Sequence, residues 1–262
     1  MKRFLPLLLP AVCLLSGCAQ KVAPGIEPAP AQSFLGRRHQ QFLPAEQADL
    51  AVVFVGGFTE QVMTRVRGLY ETMPPLPAPG RQLRAFYAWD SGTGCLPAHS
   101  TWRLQKDLRA FMRINPRADI VLIGHSYGGS AVMDALRHVA DEPFQGRVLV
   151  VTLDPVSRRA RSHPRERAPQ VNAWVNVYVA PYCAVTDAVA WVGGPWRHCE
   201  QADANLVFPG YKKDAKGRWY KHIYPAPLFM EKPPGSTMGA YDLLKETALQ
   251  MRLGDPALTR KP

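Results

Sequence analysis

The sequence lacks the usual marks of a metal or nucleic-acid protein. Its five cysteines include no Cys-x-x-Cys pair, and no closely spaced histidine pair accompanies them. That removes the familiar zinc-ligand spacings, so no metal is expected. A basic region followed by heptads and a glycine-aromatic RNA signature are also missing, so no nucleic-acid partner is expected. Acidic residues are the scarce charge, with 21 Asp and Glu against 32 Lys and Arg in 262 residues. The basic excess favours anionic surfaces such as phospholipid or lipopolysaccharide phosphates. The apolar run at residues 4–15 is short for a membrane-spanning helix. No segment repeats, and 47% apolar composition allows a substantial core.

The first residues have a pattern of their own. Met1-Lys2-Arg3 gives a positive start, the apolar run follows, and Leu15-Ser16-Gly17-Cys18 closes it. This closing tetrad resembles a bacterial lipobox. The resemblance implies that residues 1–17 are a signal peptide and that Cys18 is lipidated, which anchors the chain to a membrane at about 0.8 kcal/mol per buried methylene. Ala19 stands where an Asp would resemble an inner-membrane retention signal. The expected location is therefore the cell envelope, at the outer membrane and facing the periplasm. The alternative is an ordinary secretory signal with a chance cysteine. Residues 18–33 are rich in Pro and Ala without periodicity and read as a tether. With Cys13 and Cys18 set aside, Cys95, Cys183 and Cys199 remain in an oxidising compartment. An odd count suggests one disulfide and one free thiol. Cys183 with Cys199 is the expected pair, since both lie in one loop-rich stretch.

Periodicity organises the rest. Short apolar runs at residues 48–55, 82–89, 119–123, 147–153 and 173–179 read as strands. Helices are expected over 61–73, 101–114, 127–139 and 237–251, the last packing through Tyr241, Leu244 and Leu249. Ser100 is placed to cap the second of these. Alternating strands and helices, each strand nearly all apolar, imply an α/β fold: a mostly parallel sheet with helices on both faces. Residues 34–262 form one domain, with a cap segment conceivable within the irregular stretch 155–235.

The most informative stretch is Asp119-Ile-Val-Leu-Ile-Gly-His-Ser-Tyr-Gly-Gly129, in which an apolar strand runs into Gly124-His125-Ser126-Tyr127-Gly128 and then a helix. This fits Gly-x-Ser-x-Gly, the nucleophile elbow. The serine sits on a sharp strand-to-helix turn, and side chains at 124 and 128 would collide with neighbouring elements. The alternative is a glycine-rich turn that cradles a phosphate at the helix N-terminus. A serine hydroxyl needs a base, and the base needs an acid to orient it.

The strand, elbow and helix together resemble the α/β-hydrolase family. In that family the acid and then the base follow the serine along the chain. Asp154, directly after an apolar strand, is the expected acid, with Asp187 as the other candidate. His222, in a loop before the last helix, is the expected base, with His198 and His163 also open. His125 is expected to shape the pocket. Tyr127, just after the nucleophile, is expected to give one amide to an oxyanion hole. Gly56-Gly57-Phe58 resembles the His-Gly-x stretch of esterases with Gly56 in place of His, and it points to Phe58 as the second donor. The sequence departs from the family in that missing histidine and in an acid that comes one strand earlier than the commonest arrangement.

What the resemblance implies is a serine hydrolase that cleaves carboxylic esters, lipid or small acyl, through an acyl-enzyme without a cofactor. The rival is a non-catalytic envelope lipoprotein that keeps the scaffold for binding. The Arg-rich stretch 157–167 is a solvated loop or a contact for anionic lipid. Trp174 is expected in the core.

Overall fold

The computed structural model describes residues 48–57, 60–87, 102–157, 165–184 and 187–260. The signal and tether segments, Cys18, Phe58, Cys95, Ser100, His163 and most of the Arg-rich stretch lie outside these residues.

Six strands carry the fold: β1 (Leu50–Val55), β2 (Gln82–Tyr87), β3 (Asp119–His125), β4 (Val148–Leu153), β5 (Val171–Val179) and β6 (Ala204–Phe208). They form one sheet in the order β2-β1-β3-β4-β5-β6, with every pair parallel. The reason is legible in β1, β2, β3 and β4, where every residue is buried. A strand apolar on both sides must be covered on both sides.

Alternate residues feed two cores. Val53, Val55, Leu122 and Val150 face one of them, together with Leu108 and Phe111 of α3 (Trp102–Ile114) and Val132 and Leu136 of α4 (Tyr127–His138). Val52, Phe54, Ile123 and Val151 face the other. There they meet Leu69 and Tyr70 of α2 (Arg65–Thr72), Leu228 and Phe229 of α6 (Pro225–Met230) and Leu244 of α7 (Ala240–Gln250). Trp174 is fully buried, as expected. The result is an α/β fold, a parallel sheet with helices on both faces.

Four expectations need correction. The helix over 61–73 is two pieces, α1 (Glu60–Met63) and α2, separated by Thr64 at φ 49°. The break is stabilised from within: the Glu60 carboxyl accepts the amides of Val66 and Arg67 at 2.8 and 2.9 Å, first-turn donors for which a helix start offers no carbonyl of its own. The irregular stretch after β5 contains β6, α6 and the short helix α5 (Ala188–Val192). Leu249 is 58% exposed and does not pack α7, whereas Leu244 does. Finally, Cys183 and Cys199 are both free thiols. Cys199 is buried in the core with Trp174 and Trp196, and Cys183 is exposed in the turn after β5 beside the Pro181 carbonyl. Parity and proximity in sequence suggested a pair that the packing separates.

No helix among the described residues is long and apolar enough to cross a membrane. Those residues also contain no group of three or more His, Cys, Asp or Glu that could hold a metal ion.

Candidate active site

The site is built first by the sheet. β3 and β4 pair in parallel up to His125 opposite Leu153. The next residue on each strand is Ser126 and Asp154, so both leave the same edge one strand spacing apart, about 4.8 Å. The Ser126 amide still donates to the Leu153 carbonyl at 3.0 Å, which continues the ladder to its last rung.

Ser126 has φ 57° and ψ −128°, a conformation L-residues rarely adopt. The surrounding backbone enforces it. A Cβ at Gly128 would lie 2.1 Å from the Val55 carbonyl oxygen, and one at Gly124 would lie 2.5 Å from that of Gly128. Only glycine lets β1, β3 and α4 approach this closely. Gly57 plays the matching part on the other side. A Cβ there would sit 2.4 Å from Ser126 Cβ and 2.9 Å from its Oγ. The loop after β1 therefore runs in contact with the serine. Tyr127 opens α4, and first-turn amides point back towards the helix N-terminus, where Ser126 stands.

The remaining residue arrives from far along the chain. After β6, Tyr220 stacks on Phe208 with ring centroids 4.7 Å apart, and its hydroxyl donates to Glu231 at 2.8 Å. This pins residue 220 over the end of the sheet, and His222 follows before α6 begins. His222 Nε2 lies 2.8 Å from Ser126 Oγ, and its Nδ1 lies 2.7 Å from Asp154 Oδ2. All three residues are buried. A carboxylate can only accept, so Nδ1 carries the proton and Nε2 presents its lone pair to the serine hydroxyl.

The Asp154 carboxylate is itself braced. Asp154 Oδ1 accepts the Val179 amide at 3.0 Å, and the Tyr182 hydroxyl stands 3.0 Å from each carboxylate oxygen. Burial, followed by the charge of Asp154, pushes the Tyr182 phenol pKa well up, so it remains a donor.

Asp187, the other candidate acid, does not touch the imidazole. Its Oδ1 accepts the backbone amide of His222 at 3.0 Å. His125 does more than shape a pocket: its Nε2 lies 2.7 Å from the His222 carbonyl oxygen. A carbonyl only accepts, so that nitrogen carries the proton. Burial, then the neighbouring His222, lowers the His125 pKa to about 3, so the ring is neutral. His198 is exposed and makes no such contact. Tyr182 was not singled out by sequence, since a lone tyrosine after a proline carries no signal of the carboxylate it will meet.

Glu60 is a further buried carboxyl, set against the loop after β1. A Cβ at Gly56 would lie 2.1 Å from its Cγ. Burial raises its pKa to about 8 against the pull of the two α2 amides.

No protein-family model matches the sequence, nor does any curated protein. Among solved structures it is similar to human thioesterase 2, with 8% identity over 78% of this chain and 96% of that one and a TM-score of 0.38. A metagenome-derived lipolytic enzyme of the LipS and LipT pair shows 14% identity over 81% and 99%, with a TM-score of 0.39. ClbQ from the colibactin pathway shows 9% identity over 80% and 98%, with a TM-score of 0.37. Identities and scores this low carry no function to the present chain.

Proposed function

We propose that this chain is a serine hydrolase that cleaves carboxylic esters, of lipids or small acyl groups, through an acyl-enzyme at the cell envelope. The observation that carries this reading is the continuous hydrogen-bond path from Asp154 through His222 to Ser126 Oγ, at 2.7 and 2.8 Å.

The chemistry follows from the protons already assigned. As Ser126 Oγ attacks the ester carbonyl carbon, its proton passes to His222 Nε2. Asp154 holds the neutral imidazole in the attacking tautomer and then stabilises the imidazolium that forms. The developing oxyanion lies where the Tyr127 amide and the loop after β1 can donate to it, Phe58 being the donor expected from the sequence. Collapse expels the alcohol, which takes the proton from Nε2. Water then attacks the acyl-serine with His222 again as base, which releases the acid and restores the hydroxyl.

The lipobox-like Leu15-Ser16-Gly17-Cys18 supports a lipid anchor on Cys18, with the domain on the periplasmic side of the outer membrane. The experiment is labelling of the full chain in cells with a fluorophosphonate probe. We expect a labelled band in the outer-membrane fraction that disappears in Ser126→Ala. Folded wild type that takes no label would defeat the enzyme reading and favour the binding scaffold.

A further inference from the structure

His222 lies between β6 and α6, outside any helix or strand. Periodic backbone bonding therefore does not hold it in place. Its main chain is instead gripped from both directions by side chains. Asp187 Oδ1 takes the N–H at 3.0 Å, and His125 Nε2–H donates to the C=O at 2.7 Å. Both side chains are buried. Asp187 is fastened in turn, its Oδ2 accepting the Ala184 amide at 3.3 Å.

We infer that His125 and Asp187 are positioning residues that lock the backbone of His222 to the elbow, so that its imidazole reaches Ser126 with little freedom left to lose. This rests on the hydrolase reading above and assigns the parts that aim its base. With N–H and C=O both held, only the two side-chain torsions of His222 remain, and the bond from Nδ1 to Asp154 fixes those. His125 is the residue immediately before the nucleophile. The group that holds the base and the group that the base deprotonates thus belong to neighbouring residues of one rigid turn. Movement of the turn carries both together. The two imidazoles also lie against each other, with ring centroids 5.0 Å apart and planes inclined by 34°.

The test compares His125→Leu, His125→Gln, Asp187→Ala and the double variant His125→Leu/Asp187→Ala in the full chain. The substrate probe is p-nitrophenyl butyrate. The glutamine amide nitrogen can stand where Nε2 stood and donate the same bond, and leucine cannot. We expect His125→Leu to lower kcat about 100-fold with KM little changed, as a misplaced catalytic group does, and His125→Gln to recover most of that loss. Asp187→Ala should act in the same direction. The double variant should lose less than the product of the singles, because both hold the backbone of one residue, on either side of its Cα. Hydrogen exchange at the His222 amide gives a reading independent of turnover. Exchange should be about tenfold faster in His125→Leu than in wild type and restored in His125→Gln, as expected when a local opening becomes easier. Equal kcat in His125→Leu and wild type, or glutamine no better than leucine in both readouts, would overturn the inference. If the wild type neither hydrolyses the ester nor takes a fluorophosphonate label, the hydrolase reading fails. In that case the exchange data still decide whether the bracket exists.

Discussion

The first four strands and the chain beyond β5 solve different problems. β1 to β4 are buried along their whole length, and their order follows from apolar surface seeking cover on both faces. Beyond β5 the chain has one short edge strand, β6, in which only Phe208 is fully buried. There the structure hangs on individual bonds: Tyr220 to Glu231, Asp187 to the His222 amide, and His125 to its carbonyl. The first region supplies Ser126 and Asp154, the proposed nucleophile and acid, as by-products of strand register. The second supplies His222, the proposed base, and the contacts that aim it are specific and few in number. The difference teaches that burial builds the frame of this site, whereas polar brackets set its final alignment.

The contrast is sharpest at His222. His222→Ala should reduce kcat on p-nitrophenyl butyrate about 10⁶-fold, while circular dichroism and the melting transition remain those of a folded protein. If that variant unfolds instead, the second region is part of the frame and the division fails. Leu122→Ala should show the reverse. Leu122 is fully buried in the middle of β3, and its truncation should cost about 2–5 kcal/mol in denaturant unfolding with activity per folded molecule retained. The matched change on the edge, Val207→Ala in β6 at 42% exposure, should remain within about 0.5 kcal/mol. Similar costs at the two positions would break the comparison.

A last test concerns a carboxyl that belongs to neither region cleanly. Glu60 is raised to about 8 when folded, from 4.5. Between those values the folded state binds the extra proton, so stability declines as pH rises through this window. Glu60→Gln keeps an acceptor for the two α2 amides without the titration. Its melting temperature should match wild type near pH 5 and exceed it by several degrees at pH 9, measured by calorimetry at both values.

The sequence made the frame legible wherever the apolar pattern was unbroken. Five strands, the elbow and Asp154 were readable because each follows from a short buried run and the residue that ends it. β6 escaped because its apolar run, Leu206-Val207-Phe208, is only three residues long and lies in an otherwise irregular stretch. The split at Thr64 escaped because a left-handed threonine has no compositional mark. The residue types at 154 and 222 were readable as candidates. Their bracket at Asp187 and His125 was not, since a side chain bonding a distant peptide group leaves no spacing to find. The Cys183–Cys199 expectation failed for a related reason: proximity along the chain does not say that one thiol will be buried in the core and the other exposed in a turn.

Ser126 is held at φ 57° and ψ −128°, which favours a residue with no side chain at all. Such backbone strain is worth about 1–3 kcal/mol, and Ser126→Gly would release much of it. A laboratory campaign for heat-resistant variants, run without an activity screen, would therefore be drawn to a substitution that removes the proposed nucleophile. Robustness and reactivity pull against each other at this single atom position, and the chain keeps the less comfortable option.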